Sequence, residues 1–473
     1  MTDASLLRPS PPRLPEPGYA YQGVYAYLGR LIAEATGERR VRLPSLRDLA
    51  QRLRVSVSTV QHAYHLLESE GKVVSVPKSG YYAAVSKPLA VPRAPGDLDL
   101  LHSLYSHACT PGMQSLHQSD PCSSDAMAQL LSRQEREVQR QHPGLVGHPL
   151  GEPELRRELA ARYTRSTEHY WCADNVYLGA DLRALVDITL DALQVRGQTV
   201  LISSPASPML LMALKAAGAN IAELPLDAQG DLDLERFACR LRASPVALVV
   251  LDSALNAAQG TLMPVTTQQL LATLLDHHGT LLLEDDDHNA LCFSVPQPLR
   301  EMVDPGRVLS FGSFARMIGA EAGYGYLVTH ALAAPLRQSM LQRDFQLPPV
   351  RQKAIARLCR RGAIDRHLEP LRTGLQLKLG RLVQQLDDEL GDLLTVRRPR
   401  GGTGVWARSL HSIDGRKVYE RLLARRILIA PGEVFSVHGY HDQCLRMGCP
   451  VDGRGLPPRV IAELRNALLA ARR

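Results

Sequence analysis

The chain has 473 residues, of which 45% are hydrophobic and 22% are charged, a composition typical of a globular protein with two or three domains. No apolar stretch is long enough to cross a membrane, and the N-terminus lacks the apolar run of a signal peptide, so we expect a cytoplasmic protein without membrane contact. The net charge of +7 permits a polyanionic partner without requiring one, and the eight cysteines are expected to be reduced thiols.

The N-terminal part of the chain predicts a lead-in followed by a small helical domain. Residues 1–18 are rich in proline, which indicates disorder. The predicted domain spans residues 19–84, and its apolar residues first recur at helical spacing over about 20–35. Ser45 and Ser56 then stand where each can cap a helix, because a serine oxygen accepts a hydrogen bond from the first helical turn.

Two short strands follow the predicted third helix. The segments KVVSV and YYAA flank a turn at residues 77–80, which predicts a β-hairpin. Two helices joined by a tight turn and followed by a hairpin predict a winged helix-turn-helix, whose second helix enters the DNA major groove. Residues 21–84 carry nine Lys and Arg against five acids, which favours DNA over the alternative, a helical module for protein contacts.

The segment PSLRDLAQRLRVSVSTVQHAYHLLESEGKVVSVPKSGYYA resembles the DNA-binding domain of GntR-family bacterial repressors. The resemblance implies double-stranded operator DNA as a partner. Val57 and Val76 stand where the family usually has arginine, so some phosphate contacts are expected to be lost or to move to Lys78 or Arg54. The resemblance implies the following DNA-contacting residues: Arg47, Ser56, Ser58, Thr59, Gln61, Tyr64, Lys78, Ser79 and Gly80.

A linker and a large domain are predicted next. Residues 85–110 are rich in proline and lack periodicity, which indicates a linker, and residues 111–473 form the large domain. Its apolar runs TVLISS, PVALVVLD, GTLLLEDD and RVLSFGS are typical of buried parallel strands. Helical patterns alternate with them, which predicts an α/β domain with helices on both faces of a sheet. We place a large lobe at about 140–350 and a small α+β lobe at 365–473.

The order of these landmarks resembles the fold-type I, pyridoxal-phosphate-dependent aminotransferases. GEPELRRELAARY is similar to the motif at which that domain begins, and APGEVFSVHG and CLRMG are similar to its closing motifs. With its GntR-type head, the chain resembles the MocR subgroup of bacterial transcription regulators over nearly its whole length. Because fold-type I proteins usually dimerise, the resemblance implies a homodimer on DNA.

Most positions that would bind pyridoxal phosphate in that family carry other residues here. The Schiff-base lysine is matched by Arg316, whose guanidinium stays protonated and cannot form a Schiff base, and a phosphate-binding arginine is matched by Gly323. Asp285 matches the carboxylate that pairs with the ring nitrogen. Asp181 at the phosphate cup and Asp287 in place of a tyrosine oppose an anionic cofactor. By this resemblance, the vestigial pocket consists of Asp181, Ser207, Asp285, Asp287 and Arg316, and no covalently bound cofactor is expected.

Arg446, in CLRMG, matches the arginine that binds a substrate carboxylate in the family, and arginine suits bidentate carboxylate recognition. This match implies a small acidic effector bound by Arg446 and Arg316, although Arg446 could instead pair with a nearby acid.

Three hypotheses follow. The chain is a regulator whose aminotransferase-like domain, without catalytic residues, senses an effector or only dimerises; or it is a regulator that binds pyridoxal phosphate noncovalently; or it is an active aminotransferase.

Two groups of residues have spacings that could suggest a metal. His438, His441, Cys444 and Cys449 could hold zinc, but the matching region of the family holds no metal. The run EDDDH, residues 284–288, could bind a divalent cation, but it is better explained as the strand end that borders the cofactor pocket. We therefore expect no metal site.

Overall fold

The structure, a computed structural model, describes residues 20–34, 41–69, 72–76, 79–83, 97–117, 125–448 and 455–473. The chain divides into two compact units, the first built mainly from residues 1–90 and the second from most of residues 91–473. The predicted lead-in, residues 1–18, and residues 85–96 of the predicted linker lie outside the described residues. None of the described helices is both long and apolar enough to span a membrane.

The first unit has the winged helix-turn-helix fold that the sequence predicts. Ser45 caps the second helix by accepting a hydrogen bond from the Asp48 amide at 3.2 Å, and Ser56 caps the third by accepting one from the Thr59 amide at 3.1 Å. The two strands of its hairpin pair antiparallel. Its elements are α1 (Ala20–Glu34), α2 (Leu46–Leu53), α3 (Val57–Ser69), β1 (Val73–Val76) and β2 (Gly80–Ala83).

The apolar face that periodicity predicts for α3 forms the core of this unit. Val60, Ala63 and Leu67 are each 0% exposed and pack with Val24 and Leu28 of α1. Burial of this stripe leaves the opposite face of α3 available to solvent, which is the arrangement a recognition helix needs.

The second unit alternates helices and strands along most of its length. Short 3-10 helices lie at Ala173–Asn175, Asn289–Leu291, Leu299–Glu301, Pro305–Arg307, Ala320–Ala322 and Gly432–Phe435. Up to residue 285 its other elements are α4 (Asp97–Ala108), β3 (Gln114–Ser115), α5 (Asp125–Gln141), α6 (Pro153–Tyr163), β4 (Val176–Gly179), α7 (Leu182–Ala192), β5 (Thr199–Ser204), α8 (Pro208–Ala216), β6 (Asn220–Pro225), α9 (Leu234–Ala243), β7 (Leu248–Asp252), β8 (Leu255–Asn256), β9 (Thr261–Leu262), α10 (Val265–His278) and β10 (Leu281–Asp285). The remainder are β11 (Val308–Ser313), α11 (Ala315–Ile318), β12 (Gly325–Thr329), α12 (Ala333–Arg343), α13 (Pro349–Arg360), α14 (Ala363–Leu390), β13 (Leu394–Val396), β14 (Gly404–Ser409), α15 (Gly415–Ala424), β15 (Ile427–Leu428), β16 (Ala430–Pro431), β17 (Cys444–Gly448) and α16 (Pro458–Ala470).

A seven-stranded sheet lies within residues 125–448, which are described without a gap. Its strand order is β4-β12-β11-β10-β7-β5-β6, and β12 alone among the seven runs opposite to the others. The four predicted apolar runs form β5, β7, β10 and β11, so the prediction of a parallel α/β sheet is confirmed.

Both faces of this sheet are covered by helices. Alternate strand residues enter two cores: Val250 and Leu283 pack beneath α7 and α8, whereas Val249 and Leu282 pack beneath α9 and α10. Side chains that point alternately to the two faces of a strand explain why these runs are apolar throughout.

The small lobe is built on a four-stranded antiparallel sheet with the order β13-β14-β17-β16, within residues 394–448. Helices α14, α15 and α16 share one hydrophobic core with it. Helix α14 begins at Ala363, just before the predicted start of this lobe at residue 365, and contains Pro370.

The structure differs from the sequence prediction at residues 97–108, which the sequence assigns to the linker. They form helix α4, and Leu100, Leu101 and Leu104 are buried against α15 and the strands beside it. Ser103 also shares a hydrogen bond of 2.7 Å with the Tyr419 hydroxyl. These leucines pack against apolar residues more than 300 positions later in the chain. Local periodicity cannot predict such a long-range contact.

Candidate functional site

The DNA-contacting residues predicted on α2 and α3 are mostly accessible. Arg47, Ser58 and Gln61 are exposed, and Thr59 is half-buried. The capping Ser56 is exposed as well, and its hydroxyl lies 2.8 Å from that of Ser58. The exposed side of α3 therefore presents a row of hydrogen-bonding groups of the kind that contacts phosphates and base edges.

The predicted wing residues are only partly described. Ser79 is half-buried, with its hydroxyl 2.6 Å from that of Tyr82, and Gly80 is exposed with a φ of +108°, which only glycine adopts readily. Lys78 lies outside the described residues.

Tyr64 does not belong to this face, and its prediction as a DNA contact is wrong. Its side chain is 0% exposed, its hydroxyl donates a hydrogen bond of 2.6 Å to the Pro44 carbonyl, and its ring stacks on Tyr81. Burial raises the pKa of the Tyr64 hydroxyl. Tyr64 lies four residues after Val60 and so shares its buried face; it holds the hairpin and the start of α2 on α3.

The predicted pocket residues of the large unit line one cavity of about 690 Å³. It opens where β7, β10 and β11 end and where α7 and α8 begin, the position at which open parallel α/β sheets bind ligands. Residues of α4 form part of its wall: Leu101, Leu104 and Tyr105. The cavity brings together all six predicted pocket and effector residues: Asp181, Ser207, Asp285, Asp287, Arg316 and Arg446.

The side chains of the acidic residues 284–287, at the end of β10, point alternately to two sides of the sheet. Glu284 and Asp286 point away from the cavity, and the buried guanidinium of Arg300 bridges them at 2.9 and 2.8 Å. Ser310 and Tyr163 donate hydrogen bonds to the two carboxylates, at 2.6 and 2.5 Å. This cluster, in which both carboxylates are paired, fixes the strand end and directs the alternate acids, Asp285 and Asp287, into the cavity.

Arg316, in the short helix α11, pairs with Asp287. Its Nε lies 3.1 Å from Asp287 Oδ2, while Ser313 donates a hydrogen bond of 2.5 Å to the other carboxylate oxygen. Asp287 also lies 3.7 Å from the ring of His288, whose pKa is lowered to about 3 by burial and by Arg316. The carboxylate of Asp287 is thereby neutralised by a cation of the same chain.

Asp252 and Asp285 form the second acidic feature of the cavity. They are in-register partners on the neighbouring strands β7 and β10. Burial raises the pKa of Asp252 to about 6, and burial together with Asp252 and Asp287 raises the pKa of Asp285 well above its usual range. Among the described residues, neither carboxyl group has a salt-bridge partner.

Arg446 lies in β17 and is 8% exposed. It donates hydrogen bonds to the His117 carbonyl at 3.0 Å and to the Thr403 hydroxyl at 3.2 Å. Burial, and then the charge of Arg316, lower the pKa of Arg446 to about 10. Within the described part of the chain it pairs with no acid, so the alternative of a structural ion pair receives no support there.

The start of α7 is occupied by Asp181. Its carboxylate caps the helix by accepting a hydrogen bond from the Ala184 amide at 2.7 Å. Ser207 stands at the start of α8, followed by Pro208, and makes no capping hydrogen bond. The cap places a negative charge where a helix terminus would otherwise attract an anion.

Sequence reasoning missed several groups in the cavity. Asp252 and His117 were not predicted, and neither was the contribution of α4. The pairing of Asp252 with Asp285 could have been suspected, because both stand at the ends of consecutive predicted strands. His117 carried no such signal.

The two groups weighed as metal sites make other contacts. His441 Nε2 lies 2.9 Å from the Ser204 hydroxyl, and His438 Nε2 lies 3.3 Å from the Ile221 carbonyl, while Cys449 lies outside the described residues. A search of the described residues finds no group of three or more His, Cys, Asp or Glu arranged to hold a metal ion.

Comparison with known proteins gives a consistent result for both units. The sequence model of the family described as aminotransferase class I and II matches residues 117–454, and that of bacterial regulatory proteins, gntR family, matches residues 20–82. The chain is 25% identical over 447 residues to the HTH-type transcriptional regulator YjiR of Escherichia coli (strain K12), a match that covers 90% of this chain and 94% of that protein. It is 26% identical to the HTH-type transcriptional regulator YdcR of the same organism, over 88% of this chain and 92% of that one.

Among solved structures, the α-aminoadipate aminotransferase LysN of Thermus thermophilus superposes with a TM-score of 0.67. The match covers 78% of this chain and 94% of that one at 20% identity, a likeness that establishes the fold alone.

Proposed function

Because the chain belongs to the aminotransferase class I and II family and carries a GntR-family domain at its N-terminal end, we propose that it is a bacterial transcription regulator that binds operator DNA and senses a small acidic effector. The two curated relatives from Escherichia coli are themselves HTH-type transcriptional regulators and match along most of their length. The observation that carries the proposal is the ion pair between Arg316 and Asp287, which lies inside the pocket where an aminotransferase holds its cofactor.

DNA binding is assigned to the exposed side of α3 and to Arg47. Serine, threonine and glutamine side chains on a recognition helix can bond phosphates and base edges, and an arginine beside it supplies charge. The proposed contacts on these elements are Arg47, Ser56, Ser58, Thr59 and Gln61, with Ser79 and Gly80 in the wing.

We infer that pyridoxal phosphate does not fit this pocket. By the family resemblance, Arg316 replaces the lysine that would hold the cofactor covalently, and its Nε is bonded to Asp287. Asp181 caps the helix terminus at which the phosphate would bind, and its charge would repel that group.

Two arginines of the cavity, Arg446 and Arg316, suit the binding of an acidic effector. Arg446 is buried, lines the cavity and bonds only neutral acceptors within the described residues. A carboxylate ligand would add the opposite charge that this guanidinium lacks, and Arg316 lies close enough to influence the pKa of Arg446.

We propose that helix α4, which forms part of the cavity wall, transmits ligand binding to the DNA-binding unit. This helix follows the predicted linker, and its Leu101, Leu104 and Tyr105 line the cavity. A ligand that packs against them would alter the stability of α4, to which the linker is covalently attached. We further propose a homodimer, because paired DNA-binding units read repeated half-sites.

Two measurements test the proposal. Genome-wide footprinting should identify operator sites, and gel shifts on such a site should weaken for Arg47→Ala and Gln61→Ala but not for Arg398→Ala, a matched control at an exposed arginine. Equal affinity of all variants would contradict the assigned face.

The visible spectrum of the protein incubated with pyridoxal phosphate and then dialysed tests the cofactor inference. We expect no retained absorbance band and no aminotransferase activity. A band that survives dialysis would favour a regulator that binds the cofactor noncovalently, and turnover of an amino donor would favour an enzyme.

A further inference from the structure

We propose that Asp252 and Asp285 bind the ammonium group of an amine-bearing carboxylic acid, which the cavity holds without a covalent bond. This inference rests on the proposed function, because it names the chemical class of the effector. Of the four acids that line the cavity, Asp287 is neutralised by Arg316 and Asp181 caps a helix, whereas Asp252 and Asp285 do neither.

The geometry leaves one acceptor open on each of the two acids. Asp252 Oδ2 accepts hydrogen bonds from Asn256 Nδ2 at 2.9 Å and from the Ser203 hydroxyl at 3.3 Å. Asp285 Oδ1 accepts one from the Asp287 amide at 3.0 Å. The second oxygen of each group accepts no hydrogen bond from a described residue. Neighbouring strands lie about 5 Å apart, so one ammonium group, with its three donors, can reach both acids.

The cation that these acids require is not supplied by the described part of the chain. Arg316 is held by Asp287, and the described residues provide no Lys, Arg or His within ion-pair distance of Asp252 or Asp285. Two adjacent carboxyl groups in an enclosed site cannot both ionise at low cost without a positive charge between them. Burial raises the pKa of both groups, which favours their protonated forms when no cation is bound; a bound ammonium group would supply that cation, and the displaced proton would pass to solvent.

A second part of the cavity lining, formed by His117 and Arg446, independently indicates a ligand. His117 is 7% exposed and lines the cavity, and its Nε2 has no hydrogen-bond partner among the described residues. Its Nδ1 lies 2.7 Å from the Ser115 hydroxyl; when Ser115 donates this bond, the ring proton resides on Nε2. His117 and Arg446 then both present donors, which suit a carboxylate. Asp252 and Asp285 therefore suit a positive group of the ligand, and His117 and Arg446 suit a negative one.

Isothermal titration calorimetry on the full-length protein tests the inference with four five-carbon probes. Norvaline and 5-aminopentanoate carry an amine and a carboxylate, pentanoate carries the carboxylate alone, and glutarate carries two. We expect at least one amine-bearing probe to bind about tenfold or more tightly than pentanoate, as expected for a charge-assisted hydrogen bond. Asp285→Asn should abolish this preference and leave pentanoate binding in place, whereas the exposed control Asp388→Asn should preserve it.

Asp252→Asn provides a second variant, should Asp285→Asn fail to fold, and the same loss of preference is expected. The inference is overturned if pentanoate or glutarate binds wild-type protein as tightly as the amine-bearing probes, or if both Asn variants keep the preference. If glutarate binds and changes operator affinity in gel shifts while the amines gain nothing, the proposed function stands and only the ammonium subsite falls. If no probe binds at about 10 mM, a concentration that reveals even weak ligands, the inference and the effector role both fall.

Discussion

The two sides of the strand end at residues 284–287 carry acids that differ in their pairing, because Asp285 alone of the four has no arginine partner among the described residues. Glu284 and Asp286 are buried with Arg300 and accept hydrogen bonds from Ser310 and Tyr163. On the cavity side, Asp285 lies beside Asp252 without a cation among the described residues. A paired cluster stabilises the fold, whereas an unpaired acid keeps an unfavourable free energy that a ligand can relieve.

Helix α3 of the first unit shows the same division. Its inward side is apolar, and the hydroxyl of Tyr64 on that side is satisfied by Pro44. Its outward side carries polar groups such as Gln61 that are exposed to solvent. In both units, therefore, the side with satisfied contacts holds the fold and the other side is available for binding.

Removing the arginine that pairs with Glu284 and Asp286 should have the largest effect on the free energy of unfolding. Arg300→Met would leave Glu284 and Asp286 buried without their cation, and we expect the free energy of unfolding to fall by about 3–5 kcal/mol. Urea titration followed by tryptophan fluorescence measures this loss, because both tryptophans, Trp171 and Trp406, lie in the large unit. The exposed control Arg398→Met should change little, and an equal loss in both variants would contradict a specific role for the cluster.

Removing the charge of Asp252, on the unpaired side, should have the opposite effect on stability and increase the free energy of unfolding at pH 7. The folded protein holds the proton of Asp252 up to about pH 6, whereas the unfolded chain releases it near pH ~4. The contribution of Asp252 to the stability of the wild-type protein should therefore fall as the pH rises from about 4 to about 6, by on the order of 2 kcal/mol, and it appears as the difference between the pH profiles of wild type and variant. Asp252→Asn should lack this part of the pH dependence and be the more stable protein at pH 7.

Urea titrations across that pH range provide the measurement. The groups that face Asp252 are Asp285 of β10, Ser203 of β5 and Asn256 of β8, while Asp287 and Arg316 lie further along the cavity. Identical pH profiles for wild type and variant would show that Asp252 is not the group responsible.

A smaller loss is expected on the inward side of α3. Tyr64→Phe removes the hydrogen bond to Pro44 while keeping the ring, and should destabilise the first unit by about 1 kcal/mol. Hydrogen–deuterium exchange of the α3 amides should become faster, with operator affinity nearly unchanged under conditions where the unit stays folded. A large loss of affinity by a fully folded variant would restore Tyr64 as a DNA contact.

The smallest effect on stability is expected on the outward side. Arg47→Ala should change the free energy of unfolding by no more than about 0.5 kcal/mol. It should nevertheless weaken operator binding and, if Arg47 contacts phosphate, reduce the slope of log affinity against log salt by about 1. A salt titration of gel shifts checks this result, and an unchanged slope would exclude a phosphate contact by Arg47.

The local elements and the faces that they present could be predicted from the amino-acid sequence. Ser45 and Ser56 marked helix starts, because capping depends on a few adjacent residues. The apolar stripe of α3 and the apolar run of β10 likewise followed from backbone periodicity. All six pocket residues taken from the family resemblance line one cavity: five lie at or just after the ends of β4, β5, β10 and β11, and Arg446 reaches the cavity from β17 of the small lobe.

The pairing of these groups became visible in the folded structure and not before. Tyr64 was expected on the DNA-contacting face, but its hydroxyl finds a carbonyl twenty residues earlier. Residues 97–108 were expected to be a linker, but their leucines are buried against elements from the far end of the chain. Arg316 is bonded to Asp287, and Asp252 adjoins Asp285 across two strands. Such contacts join residues distant in sequence, so their free energy depends on which surfaces folding brings together rather than on any local pattern.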